Sequence, residues 1–194
     1  MMRRTWCGLV LGLLAGLLMQ PVRAADKEPS LEDYAKASQP GPEHKALEPL
    51  AGEWTYSAKL WMKPGDEPLQ LSGKATRKWI LGGRFLHDEV ENEKPAADFK
   101  GVGLMGYDKT QKKYTSMWVD SMTTSIGTSL GTADKARKVF TYHREMLDPV
   151  TGQKIKGRDV VRIVDKNKHV METFQEIGGK ETKVMEITYV RKEK

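Results

Sequence analysis

Ten extended runs, each joined to the next by a short group of turn residues, constrain this chain more than any other feature. From Gly52 onward apolar residues recur at every second position. Trp54, Tyr56, Ala58, Leu60 and Met62 alternate with Thr55, Ser57 and Lys59, the pattern of a strand with one buried face. Further runs span 69–81, 84–92, 99–107, 113–120, 123–133, 138–147, 154–164, 169–177 and 181–191. Turn-forming groups such as Pro64-Gly65-Asp66, Gly82-Gly83, Asp108-Lys109-Thr110-Gln111 and Gly178-Gly179 separate most of them. Connections this short make hairpins, because a parallel crossover needs about a dozen residues. A long meander leaves two sheet edges exposed, and only closure removes both. The expected fold is therefore all-β, a single antiparallel up-and-down β-barrel. The alternative is a strongly curved open sheet closed at one end by an N-terminal helix.

The segment before the strands divides in two. Arg3 and Arg4 precede an apolar stretch from Cys7 to Met19, and Val22-Arg23-Ala24 follows as a small-residue cleavage site. This is the grammar of a secretory signal peptide, and the apolar stretch is short of the roughly 20 residues of a membrane span. The expected organisation is a signal peptide at 1–24, a flexible arm at 25–41 and the barrel at 42–194, in a periplasmic or secreted protein with no stable membrane span after cleavage. Removing Arg3, Arg4 and Arg23 takes the net charge from +6 to +3. It also removes Cys7, the only cysteine, so the mature chain has neither a disulfide nor a thiol nucleophile. Its core must hold it, which a chain of this length can manage by burying about 70% of its unfolded surface. Lysines interleave with acids throughout, without the basic stripe of a nucleic-acid partner. Within the arm, Ser30 and Asp33 are spaced as a helix cap and its acidic partner. Pro42 suits a first helical turn, and Leu47 and Leu50 are expected to lean on the barrel.

Gly52-Glu53-Trp54 opens the first long strand just after a helical turn. It resembles the Gly-x-Trp signature of the lipocalin and calycin group, in which the tryptophan plugs the closed barrel end. That likeness implies a structural role for Trp54. The stretches Glu43-His44-Lys45, Leu50 to Trp54, Gly82 to Leu86, Gly101 to Asp108 and Trp118 to Met122, with Gly127 and Gly131-Thr132, resemble the uncharacterised bacterial domain-of-unknown-function family 1579. The likeness runs over about residues 42–191. It implies a calycin-like barrel and brings no known activity. The nitrobindins, haem-binding calycin relatives, carry a pattern resembling Gly-x-Trp-x-Gly-x-Gly; here Gly52 to Ala58 keeps only its first part. A proximal histidine would have to be His143 or His169, and nothing marks either.

Catalytic and metal motifs are sparse. His44, His87, His143 and His169 are scattered, without an H-x-H or H-x-x-x-H pair. There is no G-x-S-x-G elbow, and the methionines form no M-x-x-M series that would suggest copper. The strand glycines 101, 103, 106, 127 and 131 are best read as bends of a curved sheet. The informative cluster is Tyr114, Ser116, Trp118 and Asp120, which alternate onto one strand face. Aromatic area with a few polar handles suits a ligand-holding lumen. Equally, Trp118 could pack in a filled core while Asp120 bonds turn amides near Ser121. From the third strand, either Phe85, His87 and Glu89 or Leu86, Asp88 and Val90 face inward; the period does not decide. The reading adopted is an exported barrel binding a small hydrophobic or amphipathic molecule. Trp118 would stack on it, Asp120 would bond its polar end, and His87, Tyr114 and Ser116 would complete the wall. No cofactor, metal or catalytic residue is assigned. Two rivals remain: an enzyme using His87 with Asp120 or Glu89 in the same cavity, and an envelope protein with a filled barrel and an active outer surface.

Overall fold

The computed structural model describes residues 28–93 and 98–193; the expected signal segment lies outside them. Two short helices and a 3-10 turn precede ten strands. The helices are α1 (Leu31–Ala37) and α2 (Pro42–Lys45), and the 3-10 turn is Glu48–Leu50. The strands are β1 (Gly52–Leu60), β2 (Leu69–Ile80), β3 (Phe85–Asn92), β4 (Lys100–Asp108), β5 (Lys113–Asp120), β6 (Gly127–Ala133), β7 (Val139–Leu147), β8 (Lys154–Asp165), β9 (Lys168–Ile177) and β10 (Lys180–Arg191). Each pairs antiparallel with its sequence neighbour, and β1 pairs with β10 to close the barrel. The alternative of an open sheet is thereby excluded.

Local chemistry places the first elements. Ser30 and Asp33 form the reciprocal cap of α1. Pro42 opens α2, and the His44 ring reaches back so that Nδ1 accepts the Gly41 N–H at 3.1 Å. The two turns then lay Leu47 and Leu50, both essentially fully buried, across one barrel end. There they join Leu86, Tyr114, Phe140, Tyr142, Val161 and Ile163 in one core cluster. A second cluster, built on Trp54, Tyr56, Ala58, Ala75, Val90 and Tyr189, fills the side formed by β10, β1, β2 and β3.

Two strand boundaries differ from the sequence pattern. β6 begins at Gly127, not at residue 123, because the chain turns after Asp120, whose Oδ1 accepts the Met122 N–H at 2.9 Å. β1 ends at Leu60, where the Trp61 N–H is taken by the Val184 carbonyl beside the irregularity between Lys183 and Met185. The two-glycine reversal after β2 has three consecutive residues at positive φ: Leu81, Gly82 and Gly83. The glycines adopt that region without a Cβ penalty, and Leu81 is carried with them.

Candidate functional site

Cross-strand register sets which residues look inward. Asp88 pairs with Gly103, Gly103 with Trp118, and Trp118 with Gly127. Tyr142 pairs with Asp159, and Asp159 with Thr173. The inward phase therefore contains Tyr114, Ser116, Trp118 and Asp120 on β5, Arg144 on β7, and Gly157 and Asp159 on β8. Near the helical end this phase is sealed: Tyr114, Phe140 and Tyr142 are buried. Towards the far end it is not. Ser116, Trp118, Asp120, Ser129, Met146, Ile155, Gln175, Met185 and Ile187 are only half-buried. Solvent reaches these inward positions at the end opposite the helices, where Trp118 and Ile187 pack against the edge of the second core cluster. That space has methionine, isoleucine and tryptophan walls with a few polar groups, the composition of a ligand site.

Its polar furniture is organised. Arg144 Nη1 donates to both Asp159 oxygens at 2.7 and 2.6 Å, and the Thr173 hydroxyl donates to Asp159 Oδ1 at 2.8 Å. The Arg144 and Asp159 side chains are 17% and 14% exposed. Gly157 lies directly beneath the guanidinium, where a Cβ would sit 3.0 Å from its carbon and the side chain would have to shift slightly. The Trp118 ring lies across Gly101 and Gly103, leaving no room for a Cβ at Gly101. These two glycines accommodate close approach of a ring, where bending was the expectation. Trp118 Nε1 donates to Asp120 Oδ2 at 2.9 Å. With Oδ1 on the Met122 amide, both Asp120 oxygens are engaged, holding ring and turn together.

Between this half and the helical end lies a buried polar layer. Arg77 Nε is 2.9 Å from Asp88 Oδ2, and Arg77 Nη1 is 2.5 Å from His169 Nε2. An arginine can only donate, so Nε2 accepts and the imidazole proton sits on Nδ1. His169 stacks on Tyr189 and meets Trp54 edge-on, with centroids 4.4 and 4.3 Å apart. Burial, reinforced by Arg77 and Arg191, pushes its pKa down to about 2. Asp88 Oδ1 and His169 Nδ1 are buried and have no hydrogen-bond partner among the described residues. Trp54, 1% exposed, donates to the Leu50 carbonyl at 3.0 Å, and the Arg191 guanidinium lies 4.2 Å from its ring centroid.

The residues of the Gly-x-Trp and Trp118–Met122 motifs thus sit at opposite ends of one closed barrel. A sequence pattern described as a protein of unknown function, DUF1579, matches residues 39–191. This chain belongs to the DUF1579 family. No curated protein matches it. Among solved structures, the DUF1579 chain is similar to the S-type phycobiliprotein lyase CPES from Guillardia theta. The two share 11% identity at a TM-score of 0.55, over 86% of this chain and 99% of that one. A likeness at that identity establishes the barrel fold.

Of the candidate wall residues of this DUF1579 barrel, Ser116, Trp118 and Asp120 face the open interior. Tyr114 is inward but belongs to the sealed floor, its hydroxyl donating to the Glu43 carbonyl at 3.3 Å. His87 is a correction: Leu86, Asp88 and Val90 take the inward phase, so His87 stands on the outer face, with Nδ1 3.9 Å from Glu89 Oε1. Among the described residues no group of three or more His, Cys, Asp or Glu is placed to hold a metal ion. None of their helices is long and apolar enough to cross a membrane. Sequence reasoning missed Arg77, Arg144 and Asp159, and held Asp88 only as one of two alternative inward sets on β3. Each of the three missed is a charged residue in the apolar phase of its strand, beside Ala75, Tyr142 and Val161 respectively, and that mismatch was the available signal.

Proposed function

We propose that this chain is an exported, lipocalin-like barrel that binds a small, partly apolar molecule in the open half of its lumen. The carrying observation is the half-exposed inward phase around Trp118, apolar in its walls and served by the fixed Arg144–Asp159–Thr173 cluster. Trp118, set on its glycine bed and tethered by Asp120, supplies a rigid aromatic surface. Ser116 and Arg144 supply polar contacts, and Tyr114 forms part of the floor. An acid–base enzyme would want a histidine and a carboxylate together in the cavity. Here the inward histidine, His169, faces an arginine, which supports binding over catalysis. Export rests on the N-terminal sequence alone.

Native mass spectrometry of protein taken from its own cell envelope tests this reading. The expected result is a small-molecule adduct on the wild type that is reduced at least tenfold in Trp118→Ala, while the denaturation midpoint shifts less. An adduct-free protein whose tryptophan emission ignores a panel of small apolar compounds would remove the proposal.

A further inference from the structure

Among the described residues, the β6–β7 seam is one place where the barrel wall loses its pairing. β6 pairs with β7 from Leu130 opposite His143 to Ala133 opposite Phe140. On its other side β6 stays paired down to Gly127, opposite Trp118, and β7 stays paired with β8 down to Leu147, opposite Lys154. Residues 127–129 of β6 and 144–147 of β7 therefore face one another without a hydrogen-bond ladder, and the two strands splay into a wedge. A cleft of about 970 Å³ lies on this wedge, lined from both strands by Thr128, Ser129, Leu130, His143, Arg144 and Glu145. Its volume is at the upper end of the range for small-molecule pockets.

The β3–β6 side of the outer approach is largely apolar, and the β7–β8 side carries His143, Glu145 and Lys156. Phe85, Leu104, Met117 and Leu130 border the same cleft, and Phe85 and Leu130 are 38% and 45% exposed. The inner lip is polar, with Ser116, Ser129 and Arg144. The Arg144 guanidinium spends only Nη1 on Asp159; its Nε and Nη2 have no acceptor among the described residues and are reached by solvent. Charge selects what those donors receive. The inward register of β5 to β8 contains three charged side chains, Asp120, Arg144 and Asp159, so it sums to a negative value. A carboxylate arriving at Arg144 would meet Asp159 within a few ångströms, in a setting where like charges repel more strongly than in water. An uncharged oxygen acceptor meets no such opposition.

We infer that the β6–β7 wedge is a lateral entrance to the lumen, and that Arg144 at its inner lip receives the carbonyl oxygen of an uncharged, elongated apolar molecule. This deepens the ligand-binding reading and rests on it. The apolar β3–β6 side of the approach gathers the hydrocarbon, the wedge passes it between strands without breaking a ladder bond, and the spare guanidinium donors hold its acceptor.

The experiment uses the full chain and two probes matched in length, 2-undecanone and decanoate. The ketone is expected to bind at least tenfold more tightly than the acid. Arg144→Lys keeps a cation beside Asp159 but loses the planar spare donors, and should weaken the ketone about tenfold without changing the far-ultraviolet circular dichroism. Tighter binding of decanoate, or ketone affinity unmoved in Arg144→Lys, overturns the assignment to Arg144. The entrance is tested by rates, because a gate changes arrival and departure equally and leaves affinity alone. In a Thr128→Cys/Glu145→Cys protein that also carries Cys7→Ser, bridging the two thiols with bismaleimidoethane should slow ketone association and dissociation at least fivefold at unchanged Kd. Unaltered rates overturn the lateral entrance and leave the open end as the way in. Binding of neither probe by the wild type overturns the ligand-lumen reading itself.

Discussion

The two halves of the lumen solve opposite problems with similar residues. At the helical end, aromatic and polar groups are packed until nothing is wet: Trp54 is bonded to Leu50, His169 is wedged between Trp54 and Tyr189, and Arg77 is enclosed with Asp88. At the far end a tryptophan, an arginine and an aspartate recur, yet Trp118, Arg144 and Asp159 keep contact with solvent. A buried charge must be matched by its neighbours because water no longer helps. One at an open lumen can leave donors unspent. The helical end thus specifies the fold, and the far end keeps solvent-facing side chains that the fold does not consume.

The comparison breaks most visibly at the plug. Trp54→Ala should lower stability by about 3–5 kcal/mol, the range for truncating a buried aromatic, read from urea denaturation. An unchanged midpoint would mean that the helical end is not the stability centre. Next in size, Asp88→Asn leaves Arg77 enclosed without its counter-charge and should cost about 3 kcal/mol. If the same variant also weakened ligand binding strongly at unchanged stability, the polar layer would belong to the site and the division drawn above would be wrong.

Acid sharpens the contrast further. His169 is held neutral in the fold, with a pKa of about 2 against an ordinary 6.5, so below about pH 6.5 the unfolded chain binds a proton that the native one refuses. The stability contributed by this group is complete above pH 6.5 and is lost progressively as pH falls towards 2, by up to about 1.4 kcal/mol per pH unit. Urea midpoints of wild type and His169→Phe, compared from pH 7 to pH 4, isolate it from the carboxylates; parallel curves would refute the assignment. The smallest effect belongs to the open half. Asp120→Asn weakens the Trp118 tether and the turn at Met122, and should cost about 1 kcal/mol while ligand affinity changes less than threefold. A larger loss of affinity by isothermal titration would give Asp120 the direct ligand contact that its two engaged oxygens argue against.

The barrel was legible because it rests on two local signals, period-two alternation and short turns, which every strand repeats. Trp118 and Ser116 were legible on the same ground. His87 was not, since on β3 both phases carry one large apolar residue or more, Phe85 in one and Leu86 and Val90 in the other, and only the pairing of Asp88 with Gly103 orients the strand. Arg144 and Asp159 meet across a hairpin whose register local periodicity does not fix. The wedge is invisible to local patterning altogether: residues 127–129 read as ordinary strand, and what distinguishes them is a partner that diverges.

The closure of β1 on β10 has a consequence for synthesis. Trp54 pairs with Arg191, whose guanidinium donates to the carbonyls of Pro49, Ala51 and Lys166. The first strand to leave the ribosome therefore waits for the last. Hairpins β2–β3 through β8–β9 can form as the chain emerges, but the ends stay separated by almost the whole domain, and closing such a loop is the slow part of a non-local fold. Throughout that interval β1 presents an unpaired apolar edge. A chain stalled in synthesis, or cut short of residue 191, would meet other copies of itself before it met its own final strand.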